Sequence, residues 1–329
     1  MTTINLASIS SGKDSTATLL LAIEREVENL RGVFADTGHE HPAVYDYLDY
    51  LENATGVTIQ RVKADFSKRI ETRKANLHRF LHWVAENQSM KSHRLEGWTL
   101  NAIERAIEFL KPTGNPFLDL CLLKGRFPST TARFCTDELK IAPIQDQVIW
   151  PLLRDSDVTI ESWQGIRWNE SAARADAVER EGIEPDAQRV FAYRPILSWT
   201  AEDVFAFHRK HNIRWNPLYE QGMGRVGCMP CVNCRKDELR EIAARFPEET
   251  ARVAEWERLV SQVSKSGAAT FFTAIIDPTV NSGEAISYKT HGIGRLIDWA
   301  QTSRGGRQYN LLATDKPEKC SSIYGLCEQ

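Results

Sequence analysis

No stretch of this 329-residue chain approaches the ~18 consecutive apolar residues of a membrane-spanning helix. The amino terminus, Met1-Thr2-Thr3-Ile4-Asn5, lacks the charged-then-apolar pattern of a secretory signal. The protein is therefore expected to be cytoplasmic, with no membrane partner. A surplus of one charge is missing as well. Lys and Arg number 41 against 44 Asp and Glu, a net charge of −3, so any basic footprint for nucleic acid has to be local. Internal repeats, low-complexity tracts and obvious linkers do not occur. Cysteine is sparse and odd in number: seven, at 121, 135, 228, 231, 234, 320 and 327. A secreted disulfide framework calls for an even count in a short chain. In a reducing compartment, the cluster at 228–234 reads instead as metal ligands or redox groups.

What is present is ordinary for a globular protein, 42% hydrophobic and 26% charged. That suffices for one large α/β domain with a satellite, or for two domains. Ile4–Ile9, Gly32–Ala35 and Val57–Val62 read as short buried strands, with helical patterns over Thr16–Glu26 and Val44–Leu51 between them. This alternation predicts a parallel sheet covered on both faces. Residues 67–110 look mostly helical, 111–134 read as a Pro/Gly-punctuated connection, and a helix is expected over Asp137–Ile149. Strands are expected over Val158–Ile166 and Val190–Leu197, and Thr200 should cap a helix to about Lys210. A cysteine loop at 214–234 and a charged helical region to about Ser264 follow, and the last 65 residues show no strong period. The expected division is 1–198 as a nucleotide-binding domain, 199–264 as a helical region with the cysteine loop, and 265–329 as a tail region.

Between the first strand and helix lies Ser10-Ser11-Gly12-Lys13-Asp14-Ser15. A small-residue loop opening a helix points backbone N–H groups and the positive end of the helix dipole at an anion, and Ser11, Lys13 and Ser15 would add donors. It is not a Walker A loop, because Ala7 stands where that motif needs glycine. The loop resembles the pyrophosphate-binding Ser-Gly-Gly-x-Asp-Ser segment of the N-type ATP pyrophosphatases, a superfamily that includes the phosphoadenosine phosphosulfate (PAPS) reductases. Ser11 replaces the first glycine. Lys13 and Asp14 are expected to point out of the sheet edge, so that alanine there weakens nucleotide binding and spares the fold.

Further blocks carry the same resemblance. Ala35-Asp36-Thr37-Gly38 resembles the Leu-Asp-Thr-Gly segment of PAPS reductases. Gly165-Ile166-Arg167-Trp168-Asn169-Glu170-Ser171-Ala172-Ala173-Arg174 resembles their Gly-(Ile/Leu)-Arg-x-x-(Glu/Gln)-Ser-x-x-Arg block. Its two arginines and serine suit phosphate or sulfate. Asn216-Pro217-Leu218-Tyr219-Glu220-Gln221-Gly222 followed by Gly227-Cys228-Met229-Pro230-Cys231 is the strongest match, and the likeness runs from about residue 4 to 245. It implies a doubly wound, mostly parallel, Rossmann-like α/β fold of the ATP pyrophosphatase type, with a C-terminal helical and cysteine-rich region. It also implies an adenine nucleotide at Ser10–Ser15, Asp36, Thr37, Gly38, Gly165, Arg167, Ser171 and Arg174.

Cys228, Cys231 and Cys234 bring three thiolates toward one metal centre, and zinc or an iron–sulfur cluster would each want a fourth ligand. Arg133-Phe134-Cys135-Thr136, with Lys140 and Pro143, resembles a segment that supplies cluster ligands in assimilatory adenylylsulfate reductases. The resemblance thus implies a 4Fe-4S cluster on Cys135, Cys228, Cys231 and Cys234, similar to that expected of DNA phosphorothioation sulfurtransferases. Structural zinc and free redox thiols stay open. Cys320 and Cys327 are candidate nucleophiles by likeness to the tail cysteine of PAPS reductases, although the tail's residue order differs and no histidine accompanies them. Cys121, in an apolar run, reads as a core residue. His39 and His41, beside Asp36, read as polar loop histidines, with an active-site role as the alternative. The basic segment Arg304–Arg307, with Lys289 and Arg295 upstream, is open between a phosphate contact and a solvated loop.

Three functions remain on these grounds. The leading one is a reductase of PAPS or adenylylsulfate served by a thioredoxin-like reductant. The second is a sulfurtransferase that uses ATP with Mg2+ and a sulfur donor to thiolate a nucleic acid. The third is a non-catalytic nucleotide- or cluster-binding regulator. Homo-oligomerisation is an open partner.

Overall fold

A computed structural model describes residues 2–87, 97–183, 185–186, 188–273, 285–302, 322–324 and 326. In chain order the elements are β1 (Thr2–Ser8), α1 (Lys13–Glu24), β2 (Leu30–Asp36), α2 (Pro42–Thr55), β3 (Ile59–Lys63), α3 (Ser67–Asn87), α4 (Leu100–Phe109) and α5 (Pro116–Lys124). A helical stretch with α and π turns over 134–153 precedes β4 (Val158–Trp163), β5 (Arg180–Gly182), β6 (Val190–Tyr193) and α6 (Ala201–Lys210). Then come α7 (Lys236–Arg245), α8 (Pro247–Val263), α9 (Tyr288–His291) and α10 (Ile293–Ala300). Among the described residues, no helix is long and apolar enough to cross a membrane.

The chain divides into two compact units, one of residues 1–63, 140–229 and 317–329, the other of 64–139 and 230–316. The first holds a six-stranded sheet of order β3-β2-β1-β4-β6-β5. Every neighbouring pair is parallel except β5 with β6. Apolar residues alternate between two cores, as a sheet covered on both faces requires. Ala7, Ile9 and Phe34 pack with Leu19, Leu20, Leu48 and Leu51 on one face; Ile4, Leu6, Val33 and Ile160 pack with Val148 and Ile149 on the other. The buried Asn5 is satisfied by the Glu28 carbonyl at 2.8 Å and the Trp163 indole N–H at 2.8 Å. This is the doubly wound α/β fold. The strand order reverses between β1 and β4, and open sheets of this kind bind ligands at the carboxyl ends of the strands beside such a switch point. Residues 9–12 leave β1 and residues 164–167 leave β4 at that place.

The second unit is helical. Ile103, Leu120, Phe117, Val260, Trp256 and Phe271 form its core, with the Phe117 and Trp256 rings stacked at 5.4 Å. Its make-up departs from the expected linear division at 198 and 264. Residues 64–139 leave the sheet domain because α3, α4 and α5 bury their apolar faces with α8 rather than on the sheet.

Local capping explains most of the agreement and some of the differences. Thr200 caps α6 as the sequence foretold, accepting from Asp203 N–H at 3.1 Å, and the Asp203 carboxylate reciprocates by accepting from Thr200 N–H at 2.8 Å. The supposed connection at 111–134 contains α5. Its Pro and Gly residues are caps and not breakers: Asn115 accepts from Leu118 N–H, Pro116 takes the first turn, and Gly125 closes the helix at φ 66°. Cys121 on α5 is fully buried, as expected. In the tail region, α10 buries Ile293, Leu296 and Ala300, too short an amphipathic pattern to stand out in sequence.

Glu257 ties α8 to two other segments. It is 1% exposed; its carboxylate accepts from Phe271 N–H at 2.7 Å and from Ile293 N–H, at the start of α10, at 2.9 Å. Burial pushes its pKa up to about 7. A folded-state value above the unfolded one means that the native state binds the proton more tightly, so this group's contribution weakens as pH rises from about 4.5 to 7. Glu257→Gln is expected to gain stability relative to wild type as pH rises through that window, whereas Glu257→Ala loses on the order of 1–3 kcal/mol throughout by orphaning buried donors. Urea unfolding of both variants at pH 5.5 and 8 checks this; a wild-type-minus-Gln difference that does not change with pH contradicts it.

Candidate functional site

The loop after β1 is held by its own side chains. Ser11 lies at φ 59°, the left-handed region that favours glycine, which accounts for the glycine in the resembling pattern. Its buried hydroxyl donates to the Val44 carbonyl at 3.0 Å and offsets part of that strain. The Ser15 hydroxyl donates to the Gly12 carbonyl at 3.0 Å and accepts from Ser10 N–H at 3.1 Å. Ser11 and Ser15 are therefore spent on loop geometry instead of serving as anion donors, while Ser10 is exposed.

Lys13 and Asp14 open α1, and neither points out of the sheet edge as expected. They are 4% and 8% exposed. Asp14 bridges two cations, Lys13 Nζ at 2.9 Å and Arg167 Nε at 2.5 Å. Arg167, 5% exposed, also donates to the Trp199 carbonyl at 3.4 Å. The residues after β4 reach α1 because position 165 is glycine: a Cβ there would lie 2.6 Å from the backbone of Asp14 and Ser15. Together the three side chains carry one net positive charge at a helix N-terminus beside the switch point, an arrangement suited to an anion.

Aromatic rings close over this group. The Tyr219 hydroxyl accepts from Lys13 N–H at 2.9 Å, and Lys13 Nζ lies 5.5 Å from the Tyr219 ring centre and 5.2 Å from that of Tyr324. Tyr324 donates to the Gly224 carbonyl at 2.6 Å, and Leu326 is buried with Phe205 and Tyr219. In sequence, Tyr219 stands out only by its place in a matching block, and Tyr324 not at all. Ser171 is exposed and Arg174 half-buried; Arg174 and the Arg167 N–H both engage the Glu170 carboxylate.

At the end of β2, Asp36 accepts from Gly38 N–H at 2.9 Å and from the Tyr45 hydroxyl at 2.8 Å. Thr37 is buried and donates to the buried carboxylate of Glu40 at 2.7 Å. Glu40 also accepts from His39 N–H at 3.1 Å. Burial beside these two carboxylates pushes the Tyr45 phenol well above its ordinary value. Glu40 went unnoticed in the sequence because nothing marks a lone glutamate after a turn. His39 lies in the loop after β2 and is fully buried, and His41 caps α2 through Nδ1.

Cys228 belongs to this sheet unit. It forms a β-bridge with Glu40, and its Sγ lies 3.6 Å from Thr37 Oγ1 and 3.9 Å from Glu40 Oε1. Cys135, Cys231 and Cys234 belong to the helical unit and are half-buried. Their sulfurs do not all lie within 4.8 Å of one another. Cysteine thiolates are ligands for zinc and for iron–sulfur clusters alike. Cys320, Cys327 and Arg304–Arg307 lie outside the described residues.

Residues 4–234 match the phosphoadenosine phosphosulfate reductase domain. The chain belongs to that family. It is 50% identical, over 99% of its length and 97% of the relative's, to an uncharacterized 37.8 kDa protein in the gpa 5′ region of Escherichia phage 186. It is 36% identical over 21% of its length to the adenosine 5′-phosphosulfate reductase of Allochromatium vinosum, and spans 26% of that enzyme. Among solved structures, the PAPS reductase of Candida auris aligns with 68% of this chain and 80% of its own, at 15% identity and a TM-score of 0.40.

Because Asp14 is the shared partner of two buried cations, Asp14→Ala is expected to destabilise the fold by about 3–5 kcal/mol, contrary to the reading from sequence. Ser11→Gly should stay within about 1 kcal/mol of wild type, trading strain for a hydrogen bond, while Ser11→Ala keeps the strain, loses the bond and costs about 1–2 kcal/mol. Chemical denaturation measures all three. Asp14→Ala with wild-type stability would refute the buried bridge.

Proposed function

We propose that the protein is a PAPS reductase-like enzyme that converts an adenylylated sulfur substrate, PAPS or adenylylsulfate, to sulfite and the adenosine nucleotide. The observation that carries this is the Lys13–Asp14–Arg167 bridge, a net positive group at a helix N-terminus beside the sheet's switch point. In this reading the nucleotide lies against 10–15, 36–38 and 165–174. A cysteine thiolate attacks the sulfur, the bond from sulfur to the phosphate oxygen breaks, and the electron pair leaves with the phosphate. Lys13 and Arg167 stabilise that developing charge. A thioredoxin-like dithiol attacks the S-sulfocysteine at the enzyme sulfur, releasing sulfite, and its second thiol restores the enzyme thiol as the carrier becomes a disulfide. Such chemistry belongs in the reducing cytosol.

Cys327 is the proposed nucleophile, with Cys320 second. Supporting it, Leu326, its neighbour in the chain, is buried beside Tyr219, and Tyr324 faces Lys13. A 4Fe-4S cluster on Cys135, Cys228, Cys231 and Cys234 would supply a redox-active centre and a brace for the 228–234 loop. A second reading, an ATP- and Mg2+-dependent sulfurtransferase that adenylates and thiolates a nucleic acid, is supported by a thiol at the sheet's carboxyl end: Cys228 Sγ lies 3.6 Å from Thr37 Oγ1, at the end of β2.

Anaerobically purified protein should release sulfite from labelled PAPS or adenylylsulfate in the presence of a dithiol. Cys327→Ser should abolish release while leaving nucleotide affinity within about twofold, and Cys135→Ser and Cys231→Ser should each lose bound iron whereas Cys121→Ser does not. Pyrophosphate from ATP with no sulfite from either sulfonucleotide would overturn the reductase reading in favour of the transferase.

A further inference from the structure

The α3 helix of the helical unit carries a charge pattern that the chemistry above does not use. From Ser67 to Trp83 it holds Lys68, Arg69, Arg73, Lys74 and Arg79 against one acid, Glu71. This is a strong local surplus in a chain whose net charge is −3.

At ~3.6 residues per turn, Arg69, Arg73, Asn76, Phe80 and Trp83 fall on one stripe ~21 Å long. Lys68 and Arg79 flank it and are exposed, and Arg79 donates to the Asn76 side-chain carbonyl. Glu71 falls on the opposite side of the helix. Ile70, Leu77 and Val84 are buried along the other flank and anchor the helix. The stripe is thus cationic at its amino end and aromatic at its carboxyl end. There the Phe80 and Trp83 rings stack at 5.8 Å and 26°, and Trp83 is 39% exposed.

Two neighbouring segments of the same unit widen the cationic end. Glu138 accepts from Arg69 at 2.6 Å and from Lys124, at the end of α5, at 2.5 Å. Arg73 donates to the Leu123 carbonyl. Lys124 and Arg126 lie 5.7 and 5.6 Å from the centre of the Phe134 ring. These contacts hold the cations in place before a ligand arrives, and Glu138 neutralises only one of them. The other acids of these segments are Asp137, which is exposed, and Asp65, which accepts from Ser67 N–H at 2.9 Å. Cations that lead onto a stacked aromatic pair match a polyanion whose charges alternate with flat rings.

We infer that this face of α3 binds a single-stranded nucleic acid, its phosphates meeting Lys68, Arg69, Arg79, Lys124 and Arg126 and a base stacking on Trp83. A duplex hides the faces of its bases, and an acidic peptide gains nothing from the aromatic end. The assignment rests on neither the reductase nor the transferase reading, and it would give the second of these a place for its acceptor.

Fluorescence anisotropy with the full chain and a labelled mixed-sequence DNA strand tests it, beside the same sequence as a duplex and polyglutamate. Five cations less the charge of Glu138 leave about four phosphate contacts, so log Kd should rise with log salt at a slope of about 3. Lys68→Ala combined with Arg79→Ala, both at exposed positions, should lower that slope by about 1.4. Trp83→Leu should weaken binding about tenfold and leave the slope unchanged. Circular dichroism of both variants checks that the fold is retained; if Trp83→Leu unfolds, the slope of the double variant decides. No binding at low salt, or binding unaltered in the variants, would overturn the site. Duplex or polyglutamate bound as tightly as the strand would overturn the assignment of a single strand.

Discussion

The bridge from Asp14 to Lys13 and Arg167 is the contact on which the rest of the nucleotide site depends. Two cations and one anion are buried together, which is tolerable only because each charge has a partner at hydrogen-bond distance. The bridge also joins the two loops that flank the switch point, one after β1 and one after β4. Glycine at 165 lets them approach, because any side chain there would strike the α1 backbone. What results is a rigid cationic corner, with orientation fixed before a ligand arrives.

Around this corner, most of the obvious donors are already committed. Ser11 and Ser15 shape the loop, and the first N–H of α1 meets the Tyr219 hydroxyl. Charge and helix dipole are thus the site's main offer to an anion, with Ser10 and Ser171 exposed beside it. Tyr219 and Tyr324 wall off the Lys13 ammonium, and low local polarity strengthens its pull on a phosphate or sulfate.

Much of the fold was legible because the sheet unit obeys local rules. Short apolar runs marked β1 and β2 as buried strands, and Thr200 ahead of two acids spelled out a cap. β5 was not visible: three exposed residues on an edge carry no hydrophobic pattern. The α5 helix was hidden by its own caps, since Asn115, Pro116 and Gly125 look like breakers when read singly. The membership of 64–139 in a separate unit depends on which apolar faces meet, and spacing along the chain does not encode that.

The candidate site was legible as a set of residues and misread as a geometry. Ser10–Ser15 and Gly165–Arg174 stood out, yet the sequence could not show Asp14 turned inward onto Arg167, 153 residues away. Tyr219 and Glu40 matter through contacts made across the fold, and single polar residues leave no local trace of such contacts. Hydrogen–deuterium exchange with and without adenylylsulfate tests the central claim most directly, since amides at the anion corner should become protected when it is filled. The account predicts slowed exchange in both 9–16 and 165–171. Protection confined to other segments, or none despite measurable binding, would contradict it.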